Sequence, residues 1–556
     1  MLFTLGYADT IQSEVQQDLK EYFTTNKKLG IPIRKRDLRP YYTKEKYRVI
    51  WFQENNATPL NNASEKLLQL AQDDQTITQS VRKSFNLPTI QTLLAKYKTS
   101  QLTKTEKLQL DLLLTNLYDK YINAVAYGCI DWKSFKKHLK ELLDEDDIMA
   151  NWEKYNIKIN KPQLLHDTLH YVDFEHILQK VEYTYPNADK LYAKLLEYEK
   201  IAKEGGYVKV PKIKKSLKKG MRSDVVPLLR ERLIQSHDFI TQEENLTVDS
   251  NATLYDSELI QAVKSFQRRY GLTVDGICGP NTIKHLNISL QSKINQIRVN
   301  LERMRWMPRN LGKEYLLVNI PDFHLRYFKE NKQLLQLPVV VGNKKHPTPI
   351  FSRKLSAVIL NPYWRVPKRI VQRELVPKLI KNPNYILNKD ITIHENWDSN
   401  SEVINPEDIN WTQYAQTPED KEENIYPDIP YRFIQTPGKR NALGKMKFMF
   451  YNKYMVYMHD TNAKYIFHRR QRAYSHGCIR VCNPHKLLKT IASEEKTLDY
   501  KEAQTILKDV NETAIDLNKR IPVHIVYLTA WVDRNNTIHF RDDIYGYDKM
   551  QEQLLH

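Results

Sequence analysis

The sequence predicts a multidomain α+β protein: a helical scaffold, a small three-helix module, and a β-rich domain interrupted by an inserted, lid-like subdomain. Three observations carry this. The chain has 556 residues, more than one hydrophobic core organises, so two to four domains are expected. Its apolar residues recur at helical spacing up to about residue 212 and at strand spacing after about residue 314. The strand pattern then lapses between residues 372 and 436, a stretch rich in Asn, Pro, Asp and Glu.

Residues 10–212, rejoined by 288–310, form the predicted scaffold. Asp111–Tyr121, Trp132–Leu143 and Leu164–Val181 mix apolar and polar positions at helical intervals, and the polar stretch Gln72–Ser80 reads as a loop. No catalytic constellation falls here. A separate module is expected over 217–287. A helix starts near Asp224, whose acid suits a helix N-terminus. A second helix closes on Gly271 in the position that favours glycine. The turn Asp275-Gly276-Ile277-Cys278-Gly279-Pro280 opens a third, with Cys278 filling a small-residue place in the core. Ser292–Met307 is a charged helix that ends at Pro308 and returns to the scaffold. From residue 314 to about 550, β-branched and aromatic runs bounded by turn residues read as strands: 315–320, 324–328, 336–342, 356–367, 447–450, 454–459 and 522–532. A helix is expected near Lys501–Val510. The 372–436 insertion, with Trp397 and Trp411, reads either as a lid over the sheet or as a solvated excursion.

Composition narrows the function classes. The net charge of +19 favours an acidic partner: nucleic acid, anionic lipid or an anionic wall polymer. The basic residues are dispersed and no zinc-finger, basic-zipper or RNA-recognition signature accompanies them, so nucleic acid is not an expected partner. No run approaches the ~20 apolar residues of a membrane span. The first residues, Met1–Asp9, are too short for a signal peptide but fit the remnant of one ending near Ala8. The four cysteines, Cys129, Cys278, Cys478 and Cys482, are too few for a disulfide scaffold. Bridges Cys129–Cys278 and Cys478–Cys482 both stay open, and the second would quench a nucleophile.

The chemistry concentrates in Ser475-His476-Gly477-Cys478-Ile479-Arg480, read with Tyr457-Met458-His459-Asp460. A cysteine nucleophile needs a base to make thiolate, donors to hold an oxyanion, and a cation where the substrate carries a carboxylate. Here His459 stands nineteen positions before Cys478. On an extended strand Tyr457 shares a face with His459, and Arg480 shares one with Cys478. The competing reading is a buried structural cysteine. A second is a zinc hydrolase using His459, His476, Cys478 and Cys482, although their spacing matches no zinc ribbon.

Residues 314 to about 550 resemble the catalytic domain of L,D-transpeptidases, the YkuD-type fold. The resemblance rests on His459-Asp460-Thr461, Ser475-His476-Gly477-Cys478-Ile479-Arg480, Pro437-Gly438 with Asn441-Ala442-Leu443-Gly444, and Asn361-Pro362 with Trp364 and Val366-Pro367. Residues 217–287 resemble a peptidoglycan-binding module. The whole is similar to the large periplasmic multidomain (YcbB-like) type.

The resemblance implies the following. Cys478 attacks the carbonyl before the terminal D-Ala of a tetrapeptide stem, and His459 moves the proton, oriented by the Asp460 backbone carbonyl. Tyr457 and the amides of Gly477 and Cys478 hold the oxyanion. Arg480 positions a stem carboxylate; His476 either meets the substrate or bonds backbone as a loop support; and Ser475, grouped with them at the substrate, reads foremost as a turn residue. A diaminopimelate amine takes the acyl group to give a 3→3 cross-link. It further implies carbapenems as covalent inhibitors, other wall-synthesis enzymes as partners, a periplasmic location, and neither metal nor cofactor. Water as acceptor, giving an L,D-carboxypeptidase or amidase, and a purely wall-binding role remain the alternatives.

Overall fold

The computed structural model describes residues 16–555 apart from 53–61, 142–149, 156, 171–177, 179–180, 182–184, 240–251, 399, 418–419 and 421–424. The expected leader remnant, the first residues of the scaffold, the end of the Trp132–Leu143 helix and most of 171–181 lie outside the described residues.

The scaffold is helical: α1 Lys35–Lys44, α2 Asn62–Asp73, α3 Gln79–Lys83, α4 Leu87–Lys98, α5 Lys104–Tyr127, α6 Trp132–Glu141, α7 Lys161–His170 and α8 Ala188–Lys203. Helix α5 begins at a capping box, in which Thr103 and Glu106 satisfy each other's backbone amides. It is buried all round from Leu110 to Leu114, so it is the axis of the scaffold core and not an amphipathic surface helix. Its buried Asp111 is satisfied by the amides of Ile50 and Trp51 and by the Tyr42 hydroxyl, as a buried carboxylate must be.

The module contains α9 Val226–Gln235, α10 Ser257–Arg269 and α11 Pro280–Leu286. Asp224 does not cap α9, whose N-cap position is Val225 and carries no side-chain cap. Gly271 has φ +60° and is followed by the Leu272 N–H reaching back to the Gln267 carbonyl at 2.8 Å, the helix ending that glycine permits. Cys278 is fully buried. The next helix, α12 Leu290–Met304, packs on α8. Its buried Glu302 accepts the amides of Cys129 and Ile130, each at 3.0 Å. That is the predicted return to the scaffold.

The β-rich domain is built on strands β1 Glu314–Asn319, β2 His324–Lys329, β3 Lys332–Gly342, β4 Phe351–Leu360, β9 Met446–Met449, β10 Met458–His459, β11 Ala473–Ser475, β12 Ile479–Val481 and β13 Thr513–Val526. They run in the order β11-β3-β12-β10-β9-β4-β13-β1-β2, and β2 also pairs with β3, so the sheet closes on itself. Its core joins Leu316, Val318, Val339, Val358, Phe448, Met458 and Ile479 to scaffold residues Phe135, Trp152 and Trp306. A Glu153–Arg353 pair at 2.8 Å fastens the same junction. Helices α13 Pro484–Ala492, α14 Tyr500–Ile506 and α15 Tyr547–Leu555 complete the domain. Among the described residues no helix is long and apolar enough to cross a membrane.

The insertion is a folded subdomain and not a solvated excursion, and it begins before residue 372: Trp364–Arg365, expected at the end of the 356–367 strand of the large sheet, pairs within the insertion instead. Strands β5 Trp364–Arg365, β6 Ile391–His394, β7 Val403–Ile404 and β8 Arg432–Gln435 form a sheet in the order β5-β8-β6-β7. They enclose a core of Val371, Leu375, Ile386, Ile393, Trp411 and Phe433. Strands of two to four residues are too short to display an alternating pattern, which is why the sequence seemed to lose its strands there. The expected strand 454–459 is also shorter. Asn452 bonds the Phe450 and Val456 carbonyls, each at 2.7 Å, and the Tyr454 amide at 3.0 Å. This side chain closes a turn that puts Met455 at φ +54° and leaves only Met458–His459 in the sheet.

Candidate active site

Three adjacent strands present one face to a cavity of about 1180 Å³. Strands β10 and β12 pair in parallel with Met458 opposite Ile479 and His459 opposite Arg480. Strands β9 and β10 pair antiparallel with His459 opposite Lys447. Alternation then sets two rows on the same face: Lys447–His459–Arg480, and Met449–Tyr457–Cys478. All six side chains line the cavity. The expected same-face pairs Tyr457/His459 and Cys478/Arg480 thus lie side by side, and the Tyr457 and His459 rings meet edge to face at 5.6 Å.

The loop that carries Cys478, between β11 and β12, is held from below. Thr348 is fully buried. Its hydroxyl donates to the Gly477 carbonyl and accepts the Gly342 amide, both at 2.8 Å. Tyr545 donates to the Gly342 carbonyl at 2.6 Å and accepts the Thr348 amide at 3.2 Å. Gly477 takes φ +110°, a left-handed conformation that favours glycine. Ser475 is buried. It accepts the Gly477 amide at 3.2 Å and donates to the Cys478 carbonyl at 2.5 Å.

These bonds bear on two expectations. The Gly477 N–H is engaged by the Ser475 hydroxyl inside the loop. The Ser475 hydroxyl holds the turn, as its reading as a turn residue expects. The Cys478 N–H has no hydrogen-bond partner among the described residues.

Burial pushes the Cys478 thiol up, against Tyr457, Lys447 and Arg480, which favour its thiolate. The thiol donates to the Met455 carbonyl at 3.8 Å, and the Tyr457 hydroxyl is its hydrogen-bond neighbour. No hydrogen bond joins it to His459 among the described residues; such contacts are often long before a substrate is bound. His459 is held down to about 3, by burial first, then by Arg480 and Lys447. The Asp460 and Leu443 backbone carbonyls pull the other way. Its Nδ1 is buried without a well-formed hydrogen bond. Burial thus works against the charged form of both groups. The Asp460 carboxylate turns away from the ring, to Lys464 and to the Lys445 amide at 3.0 Å.

The insertion walls the cavity with Trp364, Arg365, Arg369, Arg373 and Glu374. Glu374 Oε1 lies 2.6 Å from His476 Nε2, and the His476 ring stacks on His346 at 4.7 Å. His476, read from the sequence as a substrate contact or a loop support, fastens the insertion to the loop that carries Cys478. The His476 bond holds the Glu374 carboxyl down. Burial, His476 and the nearby Arg373 and Arg369 bring His346 down to about 4.

Lys447, Thr348, Tyr545 and Glu374 were not singled out from the sequence. Only Lys447 had a readable signal, as a lysine alternating into an otherwise apolar strand. All four cysteines are free thiols, so neither open bridge is formed. Among the described residues, the one group of three metal-ligand types close together is Glu45, His166 and His170 in the scaffold; His459, His476, Cys478 and Cys482 do not form one.

Residues 313–494 match the YkuD family, described as L,D-transpeptidase catalytic domain. Residues 222–286 match "Putative peptidoglycan binding domain", and 36–195 match "Scaffold domain". A curated relative from Haemophilus influenzae, "Putative L,D-transpeptidase", is 32% identical over 262 residues, 47% of this chain and 50% of that protein. The chain thus matches about half the length of this relative. Two solved L,D-transpeptidase structures also align. The one from Xylanimonas cellulosilytica has 12% identity, 57% of this chain, all of that chain and TM-score 0.17. The one from Stackebrandtia nassauensis has 12% identity, 58% of this chain, 97% of that chain and TM-score 0.21.

Proposed function

We propose, for a chain that carries a YkuD L,D-transpeptidase catalytic domain and a peptidoglycan-binding domain, that Cys478 forms a thioacyl intermediate with a peptidoglycan stem and passes it to an amine. The observation that carries this is one strand face that sets Cys478 beside Tyr457 and His459 beside Arg480 in a single cavity.

The Cys478 Sγ attacks the carbonyl of the L-centre residue before a terminal D-Ala, and His459 takes the thiol proton as the bond forms. The negative oxygen of the tetrahedral intermediate is held by the Cys478 N–H and the Tyr457 hydroxyl. A single such donor is worth about 2.7–4 kcal/mol in acyl-transfer sites. The carbon–nitrogen bond to D-Ala breaks, and the leaving nitrogen takes the proton from His459. The Asp460 carbonyl orients the imidazole in both steps. A neutral diaminopimelate amine of a second stem then attacks the thioester, His459 takes the proton the nitrogen loses, and the carbon–sulfur bond breaks with that proton returned to the Cys478 sulfur, leaving a 3→3 cross-link.

Arg480 receives a stem carboxylate, and the basic wall of the insertion, Arg365, Arg369 and Arg373, draws the remaining acidic groups inward. A half-enclosed cavity favours amine over water, since covering the thioester limits hydrolysis. Such an enzyme works where the wall is, in the periplasm, and carbapenems acylate the same cysteine.

The test is to incubate the protein with a disaccharide-tetrapeptide and analyse the products by mass spectrometry. A dimer lacking one D-Ala is expected, and Cys478→Ala abolishes it. Clean tripeptide without dimer makes the protein an L,D-carboxypeptidase instead.

A further inference from the structure

We propose that the Lys447 ammonium is the cation that tunes the nucleophile, favouring the Cys478 thiolate and keeping the proton off His459. The inference rests on the acyl-transfer reading above and adds a residue to it.

The placement carries the argument. Lys447 is directly opposite His459 across the β9–β10 ladder and points to the same cavity as Cys478. Its Nζ lies 4.1 Å from the centroid of the Tyr457 ring, the ring whose hydroxyl meets the thiol. A cation in that position is held by the ring face, but among the described residues it has neither a hydrogen bond nor an ion pair. The acid that senses it, Glu512, is already engaged by the Tyr363 amide at 2.7 Å and by Arg365 at 3.4 Å. A half-buried ammonium without a counter-ion costs stability unless an anion forms in front of it. The groups that face it are Cys478 just before β12 and Arg480 within it, Tyr457 just before β10 and His459 within it, Arg365 from β5, and Glu512 ahead of β13. Of these only Cys478 gains negative charge in the reaction.

The electrostatics agree in direction. Burial lowers Lys447, and the Cys478 thiolate raises it. Lys447 in turn eases ionisation of the thiol and opposes a charge on His459.

With Lys447 on one side of His459 and Arg480 on the other, a resting thiolate–imidazolium pair is disfavoured. The thiol proton reaches His459 only as the sulfur–carbon bond forms. The same two cations then expel it onto the D-Ala nitrogen as the carbon–nitrogen bond breaks.

The test is the pH profile of Cys478 alkylation by iodoacetamide, followed by peptide mass spectrometry, for the full chain and for Lys447→Met, Lys447→Gln and Lys447→Arg. His459 is titrated alongside by NMR, and thermal melts confirm that each variant is folded. Loss of the cation is expected to move the alkylation midpoint up by about one pH unit, about tenfold slower at neutral pH. His459 should titrate higher in the same variants, and Lys447→Arg should restore both. Profiles that coincide for the wild type and a folded Lys447→Met or Lys447→Gln overturn the role of Lys447 and leave acyl transfer standing. A wild-type Cys478 that resists alkylation at every pH overturns both.

Discussion

Replacing Thr348 by Val keeps the shape of the side chain and removes one hydroxyl. That hydroxyl is fully buried and serves two backbone groups, the Gly342 N–H and the Gly477 C=O, each at 2.8 Å. In the variant both groups are left in the interior without a partner. An orphaned buried group costs about 1–3 kcal/mol, so Thr348→Val is expected to destabilise the domain by about 2–6 kcal/mol. Thr348→Ser keeps both bonds and removes one methyl, worth about 0.8 kcal/mol.

The loss is also directed at function. Gly477 precedes Cys478, and its carbonyl is the anchor that Thr348 supplies, so the variant that survives folding presents Cys478 loosely. The assay is a pair of measurements on the same samples: the urea midpoint, and the second-order rate of Cys478 alkylation. Thr348→Val should lower both, with Thr348→Ser close to wild type. Tyr545→Phe removes bonds to Gly342 and Thr348 in the same knot, so the double variant should fall short of the sum of the two singles. A Thr348→Val protein with wild-type stability and wild-type alkylation refutes the argument that this knot holds the Cys478 loop.

Other outcomes follow from particular contacts. Gly444 has φ +61°, and a Cβ there would meet the Asp460 carboxylate. Gly444→Ala should therefore shift the segment that orients His459 and cut turnover more than it cuts melting temperature. His459 and His346 are held near 3 and 4, below their ordinary 6.5, so the unfolded chain binds more protons than the folded one across that window. The stability they lend is full above about pH 6.5 and is lost as pH falls through it. Melting temperature should drop on acidification, and less so in His346→Asn. Glu374→Gln removes the charge that joins the insertion to His476. Because the pair is half exposed, the change in stability should stay within about 1 kcal/mol, while limited proteolysis within 372–436 quickens.

The sequence announced what depends on local repetition. Long helices such as α5, the glycine-closed α10, and the strands of the large sheet all show their period, and the motif around Cys478 carries its residue types at the surface of the text. Contacts made across the fold left less trace. Thr348 and Tyr545 are ordinary residues about 200 positions apart (197), joined only when β3 and the C-terminal segment meet beneath the loop. The bond between the Gly477 amide and Ser475 left no trace, because a free amide and a spent one look identical in sequence. The choice between a lid and a solvated excursion for the insertion was not legible because its strands are too brief to alternate, although its core residues, Ile393, Trp411 and Phe433, are strongly apolar. Lys447 was legible in principle, since a lysine in a β-strand between buried Met446 and Phe448 has to face something.

The central claim is that Cys478 carries the acyl group, and intact-protein mass spectrometry reads it directly. Mixed with a disaccharide-tetrapeptide and quenched in acid within seconds, the wild type should gain the mass of the donor minus D-Ala. Peptide mapping should place the adduct on Cys478, Cys478→Ala should gain nothing, and added acceptor amine should discharge it. Turnover of the tetrapeptide by Cys478→Ala, or an adduct that maps to another residue, would contradict the account.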